Sequence, residues 1–213
     1  MRLIDGRDRP VNAVPDINMG ADPVLATYVE TERLYLRAYE AGDGPMYYAA
    51  GVRNRNHLAE FESDNVLMHL NGKQHAETVV RELAADWKAG KWFFIGMFDR
   101  STSGWCGQVY VEPTDRELLE FTIGFVADVH HEGKGYVSEA VNRVLKVLFE
   151  DLNAHLVKSE CSEKNIRSRR LLERCGFRWE RYIKKDGTDI DISMNRGCLY
   201  VLSRKEYLNR PVN

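Results

Sequence analysis

Apolar residues recur at i, i+3, i+4 and i+7 through Lys73–Lys88, where Ala76, Val79, Val80, Leu83, Ala84 and Trp87 form one stripe. That spacing predicts an amphipathic helix, which Gly90 ends. A more ragged helical pattern runs from Asp43 to Phe61. Period-two alternation from Glu32 to Arg37 predicts a strand before it. Three strands are expected next, WFFIGMF from Trp92, WCGQVYV from Trp105 and LLEFTIGFV from Leu118. Turns at Ser103-Gly104 and Pro113-Thr114-Asp115 separate them, so they read as an antiparallel meander. A helix over 135–149, a strand from His155 and a helix over 164–174 closed by Gly176 follow. The chain finishes as a hairpin, FRWERYIK with a turn at Asp186-Gly187 and alternating Ile190, Ile192 and Met194, and then a strand at CLYVLS. This order predicts one α/β (α+β) domain with a mixed, mostly antiparallel sheet and helices on both faces, over 27–213. Residues 1–26 carry Pro10, Pro15 and Pro23 without periodicity and read as an extension.

Composition narrows the function classes. A net charge of -2 supplies no basic field, so no nucleic-acid partner is expected. No apolar run approaches the ~18 residues of a membrane span, and the N-terminus lacks a signal-peptide core. A cytoplasmic protein without a membrane partner, monomeric or homodimeric, is the expectation. Cys106, Cys161, Cys175 and Cys198 contain no C-x-x-C pair and read as reduced core thiols. The histidines show no ligand spacing, so no metal is expected.

The stretch HHEGKGYVSEA, from His130 to Ala140, places a glycine-rich turn between a strand and a helix. Such a junction gathers backbone N–H groups at a helix N-terminus and suits a phosphate. A lone G-x-G is more often only a tight turn. A P-loop is excluded, because Asp128 stands at the first glycine position and Gly135 follows Lys134 in place of a hydroxyl residue. A dinucleotide fingerprint fits weakly, with Ser138 at the third glycine position.

A third match is closer. The loop resembles the pyrophosphate motif of the GNAT N-acetyltransferases, Gln/Arg-x-x-Gly-x-Gly/Ala, with His130 at the Gln/Arg position and Gly133 and Gly135 at the glycines. NIRSRRLLERCGF, from Asn165, resembles the Asn-x-x-Ser helix of the branch that acetylates ribosomal-protein N-termini (RimJ/RimL-like). RNHLAEF from Arg55 and TERLYLR from Thr31 resemble that branch's first helix and opening strand. The resemblance spans roughly 29–208 and implies an acetyl-CoA-dependent N-acetyltransferase working by direct attack in a ternary complex. The acceptor is a protein N-terminal α-amino group or a small-molecule amine.

The resemblance implies that coenzyme A lies beside Phe125, Val126 and Ala127, its pantetheine arm bonding like an added strand. The diphosphate falls to His130, Glu132, Gly133, Lys134, Gly135 and Tyr136. Glu120 matches the position where some members carry a glutamate base, while the closer branch has its glutamate at Thr122. Alternation puts Glu120, Thr122 and Gly124 on one strand face, and a solvated surface glutamate is as good a reading of Glu120. Ser168 matches the serine proposed to protonate the leaving thiolate, with Asn165 on the same helical face. Asn165 as a helix support and Ser168 bonded back to a carbonyl are the structural alternatives. Leu172 stands where many members carry a tyrosine. Arg169 and Arg170 are candidates for the coenzyme's phosphates or for a solvated basic face. His57 near the acceptor and Tyr200 in the cleft are weaker candidates than a structural histidine and a core tyrosine. Trp92, Phe93, Phe94 and Trp105 read as core. A non-catalytic acyl-CoA-binding module is the main alternative, motivated by His130, Thr122 and Leu172; a nucleotide-dependent enzyme is a weaker one.

Overall fold

A computed structural model describes residues 25–184 and 196–210. The expected turn at Asp186-Gly187 and the alternating Ile190, Ile192 and Met194 lie outside the described residues, as does nearly all of the N-terminal extension. The chain forms β1 (Tyr28–Glu30), β2 (Leu34–Ala38), α1 (Gly44–Phe61), α2 (Lys73–Lys88), β3 (Phe93–Asp99), β4 (Trp105–Asp115) and β5 (Glu120–Ala127). It continues through α3 (Tyr136–Lys146), β6 (Leu156–Ser162), α4 (Ile166–Arg174), β7 (Arg178–Lys184), β8 (Arg196–Ser203) and α5 (Arg204–Leu208). The strands form one sheet in the order β1-β2-β3-β4-β5-β6-β8-β7. Its pairings are antiparallel except β5 with β6.

Each sheet face is closed by its own helices. Ala76, Val79, Val80 and Leu83 of α2 join Tyr47, Ala50 and Leu58 of α1 over Phe98, Trp105 and Val126. Val137, Ala140, Val141, Val144 and Leu145 of α3 and Leu172 of α4 pack on the opposite face against Phe93, Ile95, Val109, Phe121 and Ile123. Each buried valine or leucine contributes roughly 1.5–3 kcal/mol, so these stripes position α2 and α3 firmly against the strands.

The structure departs from the expected boundaries in four places. Pro113, Thr114 and Asp115 are not the turn: β4 runs through them with a register shift between Pro113 and Asp115. Proline is tolerated there because a bulge interrupts the ladder where its N–H is missing. The turn follows at 116–119, where the Leu118 N–H donates to Asp115 Oδ1 at 2.9 Å. Short β1 and α5 were not anticipated, since three and five residues carry little periodic signal. The helix after the glycine loop is α-helical only to Lys146 and finishes as a π turn over Val147–Asp151. No helix among the described residues is long and apolar enough to cross a membrane.

Candidate functional site

β5 and β6 run in register from Glu120↔Leu156 to Ile123↔Ser159, and there their pairing ends. Beyond that point, among the described residues, β5 keeps only β4 as neighbour, to Ala127, and β6 keeps only β8, to Ser162. A fork therefore opens between 124–127 and 160–162, and the sequence-predicted Phe125, Val126 and Ala127 form its β5 edge. Ser159, at the root of the fork, is buried, and its Oγ has no hydrogen-bond partner among the described residues. An unpaired strand edge beside an orphaned buried hydroxyl is a place for an extended ligand with its own amides.

The β5 edge leads into the glycine loop. Gly133 and Gly135 have φ of +72° and +79°, a region that side chains with a Cβ disfavour. A Cβ built at Gly133 would meet nothing within 4 Å among the described residues, so that side of the turn is open to an approaching group. Among the described residues, the backbone N–H groups of Gly133, Lys134, Gly135 and Tyr136 donate to no protein acceptor. They stand at the N-terminus of α3, where the helix dipole adds positive potential. The site fits a diphosphate.

Two sets of side chains fix this loop. Behind it, Arg33 Nη1 donates to the Lys134 carbonyl at 2.8 Å, and Arg33 Nε to Glu139 Oε2 at 2.7 Å. Glu139 Oε1 also accepts the Arg33 N–H at 2.8 Å and the Thr31 hydroxyl at 2.6 Å. Burial raises the Glu139 carboxyl, but these donors outweigh it and the net pKa is lowered. The Tyr136 hydroxyl donates to Asp99 Oδ2 at 2.6 Å, and its ring lies 4.8 Å from the Arg33 guanidinium. At the loop's start, fully buried Asp128 accepts from Arg53 Nε at 2.7 Å, from Arg53 Nη2, from Asn54 Nδ2 at 3.1 Å and from the His130 N–H at 2.8 Å. Asn54 Oδ1 accepts the Val129 N–H at 2.8 Å. The TERLYLR and α1 segments thus act on the loop through Thr31, Arg33, Arg53 and Asn54.

Glu132 sits between the two helical layers. Its carboxylate lies 3.3 Å from His57 Nε2 of α1 and accepts from Arg167 Nη1 of α4 at 2.6 Å. Arg167 is therefore the α4 arginine that reaches the loop. Arg169 instead donates from Nε to the Tyr200 hydroxyl at 3.1 Å, and Arg170 is exposed. Tyr200 is fully buried, and its hydroxyl donates to Glu173 Oε1 at 3.0 Å, as a core tyrosine. Asn165 caps α4, its Oδ1 accepting the Ser168 N–H at 3.0 Å; Ser168 is half-buried in the first turn.

On the α1/α2 side the fork opens into a cleft of about 640 Å³. Its aromatic wall consists of Trp92, Phe94 and Tyr110, with Phe94 and Tyr110 stacked at 5.6 Å between centroids. Trp92 and Phe94 thus belong to the cleft; Phe93 and Trp105 are core. A Cβ at Gly124 would lie 2.0 Å from Tyr110 Cζ, so glycine is what lets that ring lie across β5. Glu60, Glu62, Asp64 and Glu160 line the cleft, with Arg196 as the basic lining residue, 3.1 Å from Glu163. Burial raises the Glu160 carboxyl, with Arg181 opposing. Glu120 lies elsewhere, at the closed end of β5, accepting from Lys158 Nζ at 2.5 Å, and it is absent from the cleft lining. Among the described residues, no three His, Cys, Asp or Glu side chains are grouped to hold a metal.

The acetyltransferase (GNAT) domain family matches residues 33–178. The chain belongs to this family. An uncharacterized N-acetyltransferase of Bacillus subtilis, YnaD, is 35% identical over 65 residues, 30% of this chain and 38% of that protein. The chain thus spans well under half of that curated relative's length. An uncharacterized N-acetyltransferase of Bacillus licheniformis, p20, is 26% identical over 190 residues, 83% of this chain and 96% of that protein. Among solved structures, the Vibrio fischeri ribosomal-protein-S5-alanine acetyltransferase superposes with a TM-score of 0.73 at 21% identity, covering 87% of this chain and 100% of that one. Mycobacterium smegmatis RimJ, solved with CoA-disulfide, gives 0.70 at 19% identity, covering 81% and 83%. At such identities the GNAT fold is what is shared.

Proposed function

We propose that this chain transfers an acetyl group from acetyl-CoA to a primary amine by direct attack in a ternary complex. The acceptor is a protein N-terminal α-amino group or the amine of a small molecule. The observation that carries this reading is the fork: it joins a loop of unpaired N–H groups on one side to an aromatic cleft lined with carboxylates on the other.

Each part has a task. The edge at Phe125, Val126 and Ala127 orients the pantetheine amides, which leaves no need for particular side chains there. The N–H groups of Gly133, Lys134, Gly135 and Tyr136 hold the diphosphate, and Lys134 adds a full charge. His130 and Glu132 shape the loop, and Arg167 or Arg170 meets the outer phosphates from α4. Acetyl-CoA supplies the activated acyl carbon. Asn165 fixes the start of α4, which brings Ser168 toward the fork as a proton donor to the leaving sulfur. Membership in the family, and a neighbour solved with a coenzyme A derivative, support the cofactor assignment.

The test is mass-detected acetyl transfer to a panel of peptides and small amines, beside coenzyme A binding by calorimetry. Gly133→Glu, on the open side of the turn, sets a carboxylate against the diphosphate, a repulsion of about 4 kcal/mol for one pair near a surface at 4 Å. Coenzyme affinity should fall on the order of a thousandfold and transfer should stop. Undiminished binding by this variant would refute the loop assignment. Tight coenzyme binding with no transfer across the panel would favour the non-catalytic module.

A further inference from the structure

Three carboxylates, Glu112, Glu120 and Glu160, lie on the sheet face that carries Tyr110 and Gly124, as the pairings Glu112↔Thr122, Tyr110↔Gly124 and Thr122↔Lys158 and strand alternation require. They are not equivalent. Glu120 is neutralised by Lys158 at the closed end of the parallel pair. Glu112 does not line the cleft, and Thr122 has no acid–base capacity at neutral pH. Glu160 is the first residue of β6 past the last β5–β6 pair, so it stands at the mouth of the fork. It lines the cleft with Tyr110, and the charges of both Glu160 and Glu62 act on the Tyr110 hydroxyl. Among the described residues the Glu160 carboxylate has no hydrogen bond or ion pair, and Arg181 on β7 is the cation whose charge acts on it from across the sheet.

We infer that Glu160 receives the acceptor: its carboxylate binds the incoming primary ammonium against the faces of Tyr110 and Phe94 and takes one of its protons. This rests on the acetyl-transfer reading and gives it the base that Glu120, tied to Lys158, does not offer. Aromatic faces beside a carboxylate suit a cation, which binds ring quadrupole and charge together. The amine left by that proton transfer forms the new C–N bond as the C–S bond of the thioester breaks. The proton shed by nitrogen on becoming an amide goes to the sulfur, and the one on Glu160 returns to solvent, so one acetyl group moves and one proton is released. Glu160 is exposed at the mouth of the cleft, and the partial desolvation there outweighs the Arg181 charge and raises its pKa, which makes the transfer less uphill.

The experiment compares the full chain with Glu160→Gln, which keeps the shape and removes the base. The acceptors are spermidine, lysine amide, an alanine-initiated peptide and an acyl hydrazide whose nitrogen is neutral at the assay pH. Glu160→Gln should lower kcat/KM for the three ammonium acceptors by about 10²–10⁴, leave the coenzyme A Kd unchanged and largely spare the hydrazide. Should Glu160→Gln lower the melting temperature, Glu160→Asp, which keeps the charge one methylene back, should show a smaller loss with the same selectivity for ammonium acceptors. Turnover by Glu160→Gln within about threefold of the parent, a scale well below the 10²–10⁴ of a lost base, would overturn the inference and leave the acetyl-transfer reading intact. Equal losses on hydrazide and ammonium acceptors would also overturn it. No transfer by the parent to any acceptor would overturn both.

Discussion

Replacing Asp128 by asparagine should damage stability and coenzyme binding together. Asp128 is fully buried and gathers donors from Arg53, Asn54 and the His130 N–H, with His131 Nδ1 at 3.3 Å. Asparagine keeps the volume, removes the charge and turns one oxygen into an NH2 that must face other donors. Arg53, about 29% exposed at its side chain, then keeps a poorly solvated charge without a partner. Breaking a buried pair of this kind costs about 3–5 kcal/mol. A chain of this size loses roughly 2–4 °C per kcal/mol, which puts the melting temperature about 6–20 °C lower. Because the same carboxylate ties α1 to the start of the glycine loop, coenzyme A should also bind more weakly. Burial raises the Asp128 pKa, but the hydrogen bonds from Arg53, Asn54 and the His130 N–H outweigh it and the net shift is downward. A depressed carboxyl stabilises the fold at pH values above its unfolded value near 3.9 and loses that contribution as pH falls through the folded value. The stability gap between parent and variant should therefore be constant from neutral pH down to about 5 and close below about 4. Thermal melts over a pH series, with and without coenzyme A, read both effects. A variant melting within ~2 °C of the parent, less than 1 kcal/mol on this scale, would refute the assignment of Asp128 as the hub of the loop.

Gly124→Val should displace the Tyr110 ring, since even a Cβ would lie 2.0 Å from its Cζ. Overpacking of this sort costs about 1–3 kcal/mol, and steady-state kinetics should show a raised KM for the amine with an unchanged coenzyme A Kd. The carboxylates of Glu60, Glu62 and Asp64 at the cleft should favour acceptors with a second positive charge near the amine. Matched peptides with lysine or glutamate at the second position should differ by about 0.2–1 kcal/mol in kcat/KM, less at high salt.

The parts of the fold written in periodicity were legible. The stripe of α2 predicts its observed ends, Lys73 and Lys88, because one apolar face meets one sheet face. The order of strands and helices around the glycine loop was legible for the same reason. The end of β4 is not legible in the sequence, because Pro113 signals a turn locally while the bulge that accommodates it depends on β5 lying alongside. In the site, the glycines were readable from chemistry, since a positive φ and close approach both demand them. Their supports were not: Arg33 and Glu139 lie 106 residues apart, and no local rule pairs them. The Arg53–Asp128 bond spans 75 residues and is equally silent in sequence.

Glu160 shows the harder limit. Along the sequence Glu160 is one polar residue in the strand that starts at His155, and no local signal sets it apart from Glu120 on the neighbouring strand. What separates them is where the parallel ladder stops. Below Ile123↔Ser159 the strands are zipped, and a carboxylate there finds a lysine across the pair, as Glu120 finds Lys158. Above it the strands part, the β5 partner is missing, and a carboxylate at that level faces the cleft. The end of a ladder is set by the whole sheet: by β8 drawing β6 away and by the Asp128 hub turning β5 into the glycine loop. The same divergence that frees the β5 edge for an extended ligand therefore also frees Glu160. A substitution that zipped the fork by one more pair should cost donor binding and acceptor turnover at once, whereas independent sites would fail one at a time.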